Sequence, residues 1–355
     1  MIDLLALLKK MLSASGLSGY ESPIREIIHE AWEPLTDELT VSKIGSLHGL
    51  KKGRGAEPRR RVMISVHMDA IGMMVTTIQD GLLRFTEIGG IDDRILPGQL
   101  VTVHGREAFP GVIVQPPAHL LPRSAGDGPV EMKYLFVDLG LDSDTVAEKV
   151  RIGDTISFAQ EPLELTGEAL AGHTLDNRVS VAAATLCLEE LQNRHHDWDV
   201  WAVASAQEEE TLGGALTSPF AIRPDIAIVV DVCFAKGLGS SNWRSLPFGE
   251  GVGLGYGPNI HPALYKAFEE KAMKLEIPHQ RDLMPKMSGT DAMAIQVVAE
   301  GIPCMVLGIP LRYMHTPVET VSLKDIRRAG RLMAAFIADC EEACKDLTPD
   351  ALDQN

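Results

Sequence analysis

Six residues of the sequence have side chains that can bind a metal ion or move a proton, and each follows an apolar, strand-like segment, directly or in the next loop. They are His67, Asp69, Glu208, Glu209, Asp231 and His315. The apolar segments are Val62–Val66, Val200–Ala206, Ile226–Val230 and Met305–Ile309. Continuous apolar runs of this length are typical of parallel strands covered on both faces by helices. Because open α/β sheets hold their chemistry at the carboxyl ends of such strands, the sequence predicts one common site.

His67 and Asp69 have the spacing of two residues on one face of a strand end. This spacing would let the Asp69 carboxylate accept a hydrogen bond from the His67 ring nitrogen that faces away from a metal. Such a contact fixes the tautomer of the ring and raises the basicity of the ligand. The alternative is an ordinary histidine at a strand end whose ring is satisfied within the core.

Asp176 opens the helical stretch LDNRVSVAAATLCLEELQ. An Asp at this place usually caps the helix N-terminus, which stabilises the helix by about 1 kcal/mol. A cap is therefore the simpler interpretation of Asp176 taken alone. Gly172 before it and the small residues after it would also let its side chain reach into a cleft.

Three consecutive glutamates, Glu208 to Glu210, follow the apolar segment that ends at Ala206. Adjacent carboxylates at the edge of a core repel each other unless cations compensate them. The alternative is a solvated acidic turn. Asp231 also ends a buried segment without a local counter-charge, and a buried unpaired carboxylate is costly. These acidic residues therefore favour a bound cation.

Two histidines and several carboxylates form the nitrogen and oxygen ligand set that suits zinc, cobalt or manganese. A bridging carboxylate with two further ligands for each ion is the pattern of a co-catalytic metal pair. A spare glutamate beside the ligands would supply the general base. The sequence contains no GxGxxG, P-loop, GxSxG or HExxH pattern, so it predicts none of the chemistries that those motifs carry.

The order of the segments predicts an α/β protein made of two parts. Residues 1–71 and 163–346 alternate between helical and strand-like segments, from two N-terminal helices to a long terminal helix near 322–345. Between them, residues 72–162 contain short alternating segments, each predicted as a strand and including Lys133–Val137, that are separated by GG, PG and PP pairs. This pattern predicts a small inserted β domain. The polar tail, 347–355, is expected to be disordered.

The composition excludes several classes of partner. A net charge of −16 and a pI near 5.1 argue against nucleic acid and anionic membranes. No run approaches the roughly 18 apolar residues of a membrane span. The N-terminal segment carries its two lysines after its apolar stretch, which favours an amphipathic helix over a secretion signal. Five cysteines without a CxxC pair disfavour a disulfide framework, so we expect a cytoplasmic protein.

Six motifs, in their order and spacing, resemble those of the tetrahedral (TET) aminopeptidases. This is the glutamyl aminopeptidase family of di-metal exopeptidases, some of which are labelled endoglucanases. The motifs are HMDAIG, LDNR, AQEEETLGGA, VVD, SGTDA and RYMHTPVE. The resemblance covers nearly the whole chain. It implies a phosphorylase- or hydrolase-like mixed sheet covered by helices, an inserted PDZ-like β domain used for dimerisation, and assembly of dimers into a hollow dodecamer.

The resemblance also implies a metal ligand set, position by position. His67 and Asp231 correspond to the terminal ligands of one metal ion. Glu209 and His315 correspond to ligands of the second ion. Asp176 corresponds to the carboxylate that bridges the two.

The resemblance further implies that Glu208 is the general base and that Asp69 orients the first histidine, whereas it gives Glu210 no role. The sequence departs from the family at three places. The family usually has Glu at Ala70, Val-Gly at Glu210-Thr211 and a basic residue at Gly213. None of these departures removes a ligand, but they leave the substrate preference open.

The sequence therefore predicts a metal-dependent aminopeptidase that removes N-terminal residues from short peptides. In this prediction a metal-bridged hydroxide attacks the first carbonyl and Glu208 moves its proton, with zinc or cobalt as the expected ions and manganese as a third choice. Further copies of the chain are the expected partners.

Three alternatives stay open at this point. A carboxypeptidase or N-acyl amino-acid deacylase on the same scaffold would be favoured by hydrolysis of blocked N-termini. A glycosidase with paired carboxylates would be favoured by chelator-resistant hydrolysis of cellulose. A non-catalytic assembly protein would keep the metals structurally, but such a protein needs no base like Glu208.

Overall fold

The computed structural model describes residues 2–122, 128–240 and 243–345, together with Leu347. The segment expected to be disordered, 347–355, lies outside these residues apart from Leu347. The described residues form a mixed sheet of 11 strands covered by helices and a separate closed barrel. The predicted α/β fold with an inserted β unit has this architecture. Within the same residues, no helix is both long enough and apolar enough to cross a membrane.

The elements are numbered in chain order. The strands are β1 (Glu38–Val41), β2 (Leu47–Lys51), β3 (Arg61–His67), β4 (Gly72–Gln79), β5 (Leu82–Ile88), β6 (Leu100–His104), β7 (Ala108–Val114), β8 (Phe136–Asp138), β9 (Thr155–Phe158), β10 (Leu163–Leu165), β11 (Ala169–Gly172), β12 (Asp199–Ser205), β13 (Ile226–Phe234), β14 (Val252–Tyr256), β15 (His279–Leu283), β16 (Cys304–Arg312) and β17 (Glu319–Ser322). The α-helices are α1 (Leu4–Leu12), α2 (Ser22–Trp32), α3 (Ser143–Lys149), α4 (Leu175–Leu191), α5 (Glu208–Thr211), α6 (Gly213–Ile222), α7 (Pro262–Lys274), α8 (Ala292–Ile295), α9 (Leu323–Ala338) and α10 (Cys340–Ala343). Short 3₁₀ turns lie at Glu33–Leu35, Asp93–Ile95, Ala118–Leu120 and Met132–Tyr134.

Four parallel strands, in the order β12, β3, β13 and β16, form the centre of the large sheet. Each corresponds to one of the apolar segments that the sequence predicted as a strand, although β12 ends at Ser205, one residue before the predicted end. Nearly all residues of the four strands are buried. Continuous apolar side chains suit this position because helices cover both faces. The strand β13 is longer than predicted, because it continues past Asp231 to Phe234 along β16.

Antiparallel strands extend the sheet on both sides of this centre. The pair β1 and β2 continues from β12, while β17, β11 and β10 follow β16. The strand β14 pairs antiparallel with β16 and parallel with β15. The sheet is therefore mixed, with its parallel strands in the most buried position.

The inserted segment forms a closed barrel with the strand order β4-β5-β8-β7-β6-β9. It has its own apolar core, in which Val101 and Ile156 are fully or almost fully buried. The strand predicted at 133–137 is wrong at its start, because Met132–Tyr134 form a 3₁₀ turn that is closed by hydrogen bonds to main-chain oxygens. The strand β8 begins only at Phe136.

Helix α4 lies at the centre of the helical layer. It packs against α1, α2 and α9 and over β3 and β13, so that most of its residues are buried. Gly330 of α9 permits a close approach, since a Cβ atom there would lie 2.8 Å from the Ala183 carbonyl oxygen. A helix that is buried nearly all round is held in place by its neighbours on most sides. Its N-terminal residues, which include Asp176, therefore start from a well-defined position.

The first and the last elements of the described residues are helices, as the sequence predicted. The N-terminal segment forms α1 and α2. The long helix predicted near 322–345 is divided into α9 and α10 at Asp339, whose φ of −109° and ψ of 13° are not helical.

Candidate functional site

The large sheet brings most of the predicted site residues to one edge. His67 is the last residue of β3, and Asp231 lies in the neighbouring β13. Glu208 and Glu209 begin α5 directly after β12, and His315 lies in the loop between β16 and β17. Since these four central strands are adjacent and parallel, their carboxyl ends hold the side chains together.

The carboxylate of Asp176 lies between the two histidine rings. Its Oδ1 is 3.2 Å from Nε2 of His67, and its Oδ2 is 3.5 Å from Nε2 of His315. The simpler interpretation of Asp176 as a helix cap does not apply, because Asp176 and Asn177 have non-helical dihedral angles and the aspartate side chain is turned to the histidines. One buried carboxylate thus presents a different oxygen to each imidazole.

Three further carboxylates surround the two rings. Asp231 Oδ1 lies 3.6 Å and Glu208 Oε2 lies 3.8 Å from His67 Nε2. Glu209 Oε2 lies 3.4 Å from His315 Nε2. Among the described residues, two sets of side chains have their ligand-type atoms within 4.8 Å of one another: His67 with Glu208 and Asp231, and His67 with Asp176 and Glu209.

Asp69 contacts the site in a way that differs from the predicted hydrogen bond. The Nδ1 atom of His67 lies 3.2 Å from the main-chain oxygen of Asp69, whereas the nearer carboxylate oxygen is 3.7 Å away. The carboxylate instead accepts the main-chain N–H groups of Glu208 at 2.9 Å and Glu209 at 3.1 Å. Gln207, with a left-handed φ of 62°, turns the chain out of β12 just before them. Asp69 therefore orients both the histidine and the acidic turn.

Burial raises the pKa values of three carboxyl groups at the site. It raises the pKa of Glu208 to about 10 and that of Asp231 to about 6, and it raises the pKa of Glu209 well above its usual range. Burial opposes protonation of His67, but the nearby carboxylates of Glu208, Asp176 and Asp231 outweigh it and raise the pKa of this ring. The carboxyl groups of Glu208, Glu209 and Asp231 thus favour their protonated form unless positive charge lies beside them.

The donor atoms fit a pair of divalent cations. Imidazole nitrogens and carboxylate oxygens are ligands that zinc and cobalt accept. The two oxygens of Asp176 face different histidines, which is the arrangement that a shared carboxylate requires. The carboxyl groups of Glu208, Glu209 and Asp231 are buried close together, so they repel each other unless positive charge compensates them, and two cations would supply that charge.

Glu319 is a buried carboxylate at the site that the sequence did not single out. Its Oε1 accepts the main-chain N–H of His315 at 2.9 Å, and its Oε2 accepts that of Asp176 at 3.0 Å. It therefore ties together two segments that carry ligand-type side chains. Its place at the end of the RYMHTPVE motif was the one signal in the sequence that could have pointed to Glu319. Nothing in the sequence indicated that its carboxylate contacts main-chain N–H groups of the site.

Asp291 is a second buried carboxylate that the sequence did not single out. Its Oδ2 accepts hydrogen bonds from the hydroxyl groups of Ser65 at 2.7 Å and Ser205 at 2.6 Å. Because Ser65 lies in β3 and Ser205 in β12, Asp291 links the strands that lead to His67 and to the acidic turn. The SGTDA motif contains this residue, yet the partner serines are unremarkable in the sequence.

The chain has relatives of known type along almost its full length. It is 35% identical over 352 residues to a lysyl aminopeptidase of Pyrococcus furiosus, covering 97% of this chain and 99% of the relative. The solved TET aminopeptidase of a marine sediment Thaumarchaeota archaeon matches with a TM-score of 0.91 and 31% identity, over 97% of this chain and 99% of that one. The TET1 peptidase of Pyrococcus horikoshii, which can assemble into a tetrahedron or a large octahedral shell, matches with a TM-score of 0.82 and 28% identity, over 94% and 99% of the two chains.

A family comparison agrees with these relatives. The profile of the M42 glutamyl aminopeptidases matches residues 45–332, which include every site residue described above. The resemblance inferred from the six sequence motifs is thereby confirmed. The chain belongs to the M42 glutamyl aminopeptidase family and is a peptide hydrolase.

Proposed function

We propose that this protein is a di-metal aminopeptidase that removes N-terminal residues from short peptides. Family membership supports the aminopeptidase activity. The observation that carries the metal-dependent mechanism is the Asp176 carboxylate, which presents one oxygen to His67 and the other to His315. A carboxylate in this position is suited to hold two ions side by side.

The proposed ligands divide into two groups around this carboxylate. His67 and Asp231, whose ligand atoms are 3.6 Å apart, would hold one ion. Glu209 and His315, whose ligand atoms are 3.4 Å apart, would hold the other, with zinc or cobalt as the proposed metals. When bound, such ions lower the pKa of water and polarise a carbonyl group.

Glu208 is the proposed general base. The Asp69 carboxylate accepts the main-chain N–H of Glu208. The Glu208 carboxylate lies at the margin of the ligand cluster, 3.8 Å from His67 Nε2. There it would take a proton from the attacking water and return it to the leaving amine of the peptide. Burial raises the pKa of Glu208 in the cation-free site, and neighbouring cations would favour its ionised, basic form at neutral pH.

The charge at the site favours a free N-terminus as the group that binds beside it. Asp69, Asp291 and Glu319 are buried beside the carboxylates closest to the histidines, so two divalent cations would leave part of the negative charge here uncompensated. This remaining charge would attract an ammonium group and repel a C-terminal carboxylate. This preference supports an aminopeptidase over a carboxypeptidase. It also separates the proposal from an N-acyl deacylase, whose substrate carries no positive charge at this end.

Removal of divalent ions is expected to abolish peptide hydrolysis. The purified protein should hold up to about two ions per chain, measured by elemental analysis, and should lose its activity on aminoacyl chromogenic substrates after dialysis against a chelator. Zinc or cobalt should restore the activity, because the five proposed ligands persist in the metal-free chain. Matched N-acetylated substrates serve as the control and should not be cleaved. Full activity at a metal content near zero would refute the mechanism, and cleavage of only the blocked substrates would indicate a deacylase.

We further propose a division of labour between the two parts of the chain. Residues 1–71 and 163–346 would form the catalytic domain, and residues 72–162 a PDZ-like domain through which two chains pair. The separate apolar core of the barrel supports an autonomous unit. Dimers of this kind would assemble into a hollow particle, and a closed tetrahedral arrangement has twelve equivalent positions.

The proposed assembly predicts a particle of about twelve chains, each of 38.5 kDa. Light scattering combined with size-exclusion chromatography measures this mass at micromolar concentration. Because an enclosed site admits only what passes the openings, the particle should trim short peptides and leave folded proteins intact. A monomer mass would contradict the proposal. A dimer mass would support only the pairing of two chains and contradict the assembly of dimers into a particle.

A further inference from the structure

The inserted barrel touches the candidate metal site through the turn that follows β5. The carbonyl oxygen of Gly90 in this turn lies 2.9 Å from Nδ1 of His315. A carbonyl oxygen only accepts hydrogen bonds, so Nδ1 must carry the proton. The lone pair of Nε2 is then left facing Asp176 and Glu209. The position of the turn therefore sets both the tautomer and the direction of the His315 ring.

Glu210 holds this turn from the side of the acidic segment. Its Oε1 accepts the main-chain N–H of Gly89 at 2.5 Å, one residue before the carbonyl that contacts His315. Gly89 has a left-handed φ of 74°, and a Cβ atom there would lie 2.6 Å from Cγ2 of Ile71. The turn is thus built from a residue without a side chain, and its N–H is directed at a carboxylate.

A second carboxylate, from the barrel itself, holds the other side of the turn. Oε2 of Glu87 accepts the main-chain N–H of Ile91 at 3.3 Å. The carbonyl of Gly90 therefore lies between two anchored N–H groups. One anchor belongs to the barrel and the other to the catalytic part of the chain.

We propose that Glu210 is a positioning residue that fixes the turn of the barrel at Gly89 and Gly90 and thereby orients His315 as a ligand. Consecutive residues then act on opposite sides of one ring: Glu209 lies at Nε2, and Glu210 acts at Nδ1 through the turn. This inference rests on the proposed role of His315 as a metal ligand. It gives Glu210, which stands where the family pattern usually has Val, a specific task in this chain.

The first test measures the affinity for each of the two ions by competition with a chromogenic chelator. Removal of a residue that hydrogen-bonds directly to a metal ligand lowers the metal affinity by roughly 10- to 100-fold. Glu210 acts one hydrogen bond further away from the ligand. Glu210→Ala should therefore lower the affinity for one of the two ions by about 3- to 10-fold and leave the affinity for the other unchanged. Glu210→Gln should recover most of this loss, because its amide oxygen can still accept the N–H of Gly89.

Two other variants sharpen this test. Glu87→Ala loosens the same turn from the barrel side and should weaken the same ion. Asp37→Ala is the matched control, since this exposed carboxylate accepts the main-chain N–H of Lys52 at 2.6 Å at the outer edge of the sheet. Asp37→Ala should bind both ions as the unmodified protein does.

The second test does not depend on metal. Magic-angle-spinning NMR of ¹⁵N-histidine-labelled, metal-free protein, at a pH where the ring is neutral, reports the tautomer of His315, with a His315→Gln variant for assignment. The unmodified protein should give the Nδ1–H form alone, and Glu210→Ala a mixture of both forms. Unchanged ring signals together with unchanged affinities in Glu210→Ala would overturn the inference. An absence of metal from the unmodified protein would instead refute the proposed function and leave the NMR result to decide on Glu210.

Discussion

Replacement of Glu208 by Gln is expected to lower the turnover number by roughly 10²- to 10⁴-fold while both metal ions remain bound. Glutamine keeps the shape of the side chain but cannot take a proton from the attacking water. The main-chain N–H of residue 208 would still be held by Asp69, so the geometry of the acidic turn should persist. Steady-state kinetics on an aminoacyl substrate, with elemental analysis of the same sample, measures both parts of this expectation.

The neighbouring residue provides the control for Glu208. Glu209 lies 3.4 Å from His315 Nε2, and we expect Glu209→Gln to lower the metal content rather than the activity of the fully loaded protein. Excess metal in the assay should therefore restore Glu209→Gln in part and Glu208→Gln not at all. The opposite pattern would exchange the roles of the two glutamates.

Replacement of Asp176 by Ala is expected to remove both ions, with a loss of affinity of more than about 100-fold for each. Loss of a partner outside the ligand shell already costs that much at its upper limit, and Asp176 faces both histidines directly. Peptide hydrolysis should then fall to the level of the metal-free protein. Isothermal titration with zinc measures the affinities, and circular dichroism checks that the fold is kept.

The matched variant for Asp176 is His67→Ala. His67 belongs to one proposed ligand group only, so its replacement should lower the affinity for one ion and leave the affinity for the other unchanged. If Asp176→Ala retained one ion at full affinity, Asp176 would be a terminal ligand and not a bridge. Since Asp176 is buried, the thermal unfolding of both variants should be recorded beside that of the unmodified protein.

The strands and the inserted unit were predicted correctly from the sequence where a single feature, such as burial on both faces or turn residues between short segments, determines the structure. The four central strands were predictable because burial on both faces requires a continuous apolar run, as in β3 and β13. The inserted β unit was visible because its short alternating segments are separated by turn residues. Errors arose where local hydrogen bonding competes with strand pairing, as at Met132–Tyr134, and where a strand outlasts its apolar run, as at Asp231.

The sequence alone identified which residue types would meet and at which end of the sheet, because strand ends and ligand chemistry are properties of short segments. It also identified the family, through motifs that are contiguous in the chain. The tertiary structure alone decided how these residues contact each other. The Asp69 carboxylate holds the turn at Glu208 and Glu209, Glu319 links His315 to Asp176, and Glu210 reaches Gly89. These hydrogen bonds join residues that are mostly far apart in the chain, and their partners are largely main-chain groups, which every residue carries and which leave no trace in the sequence.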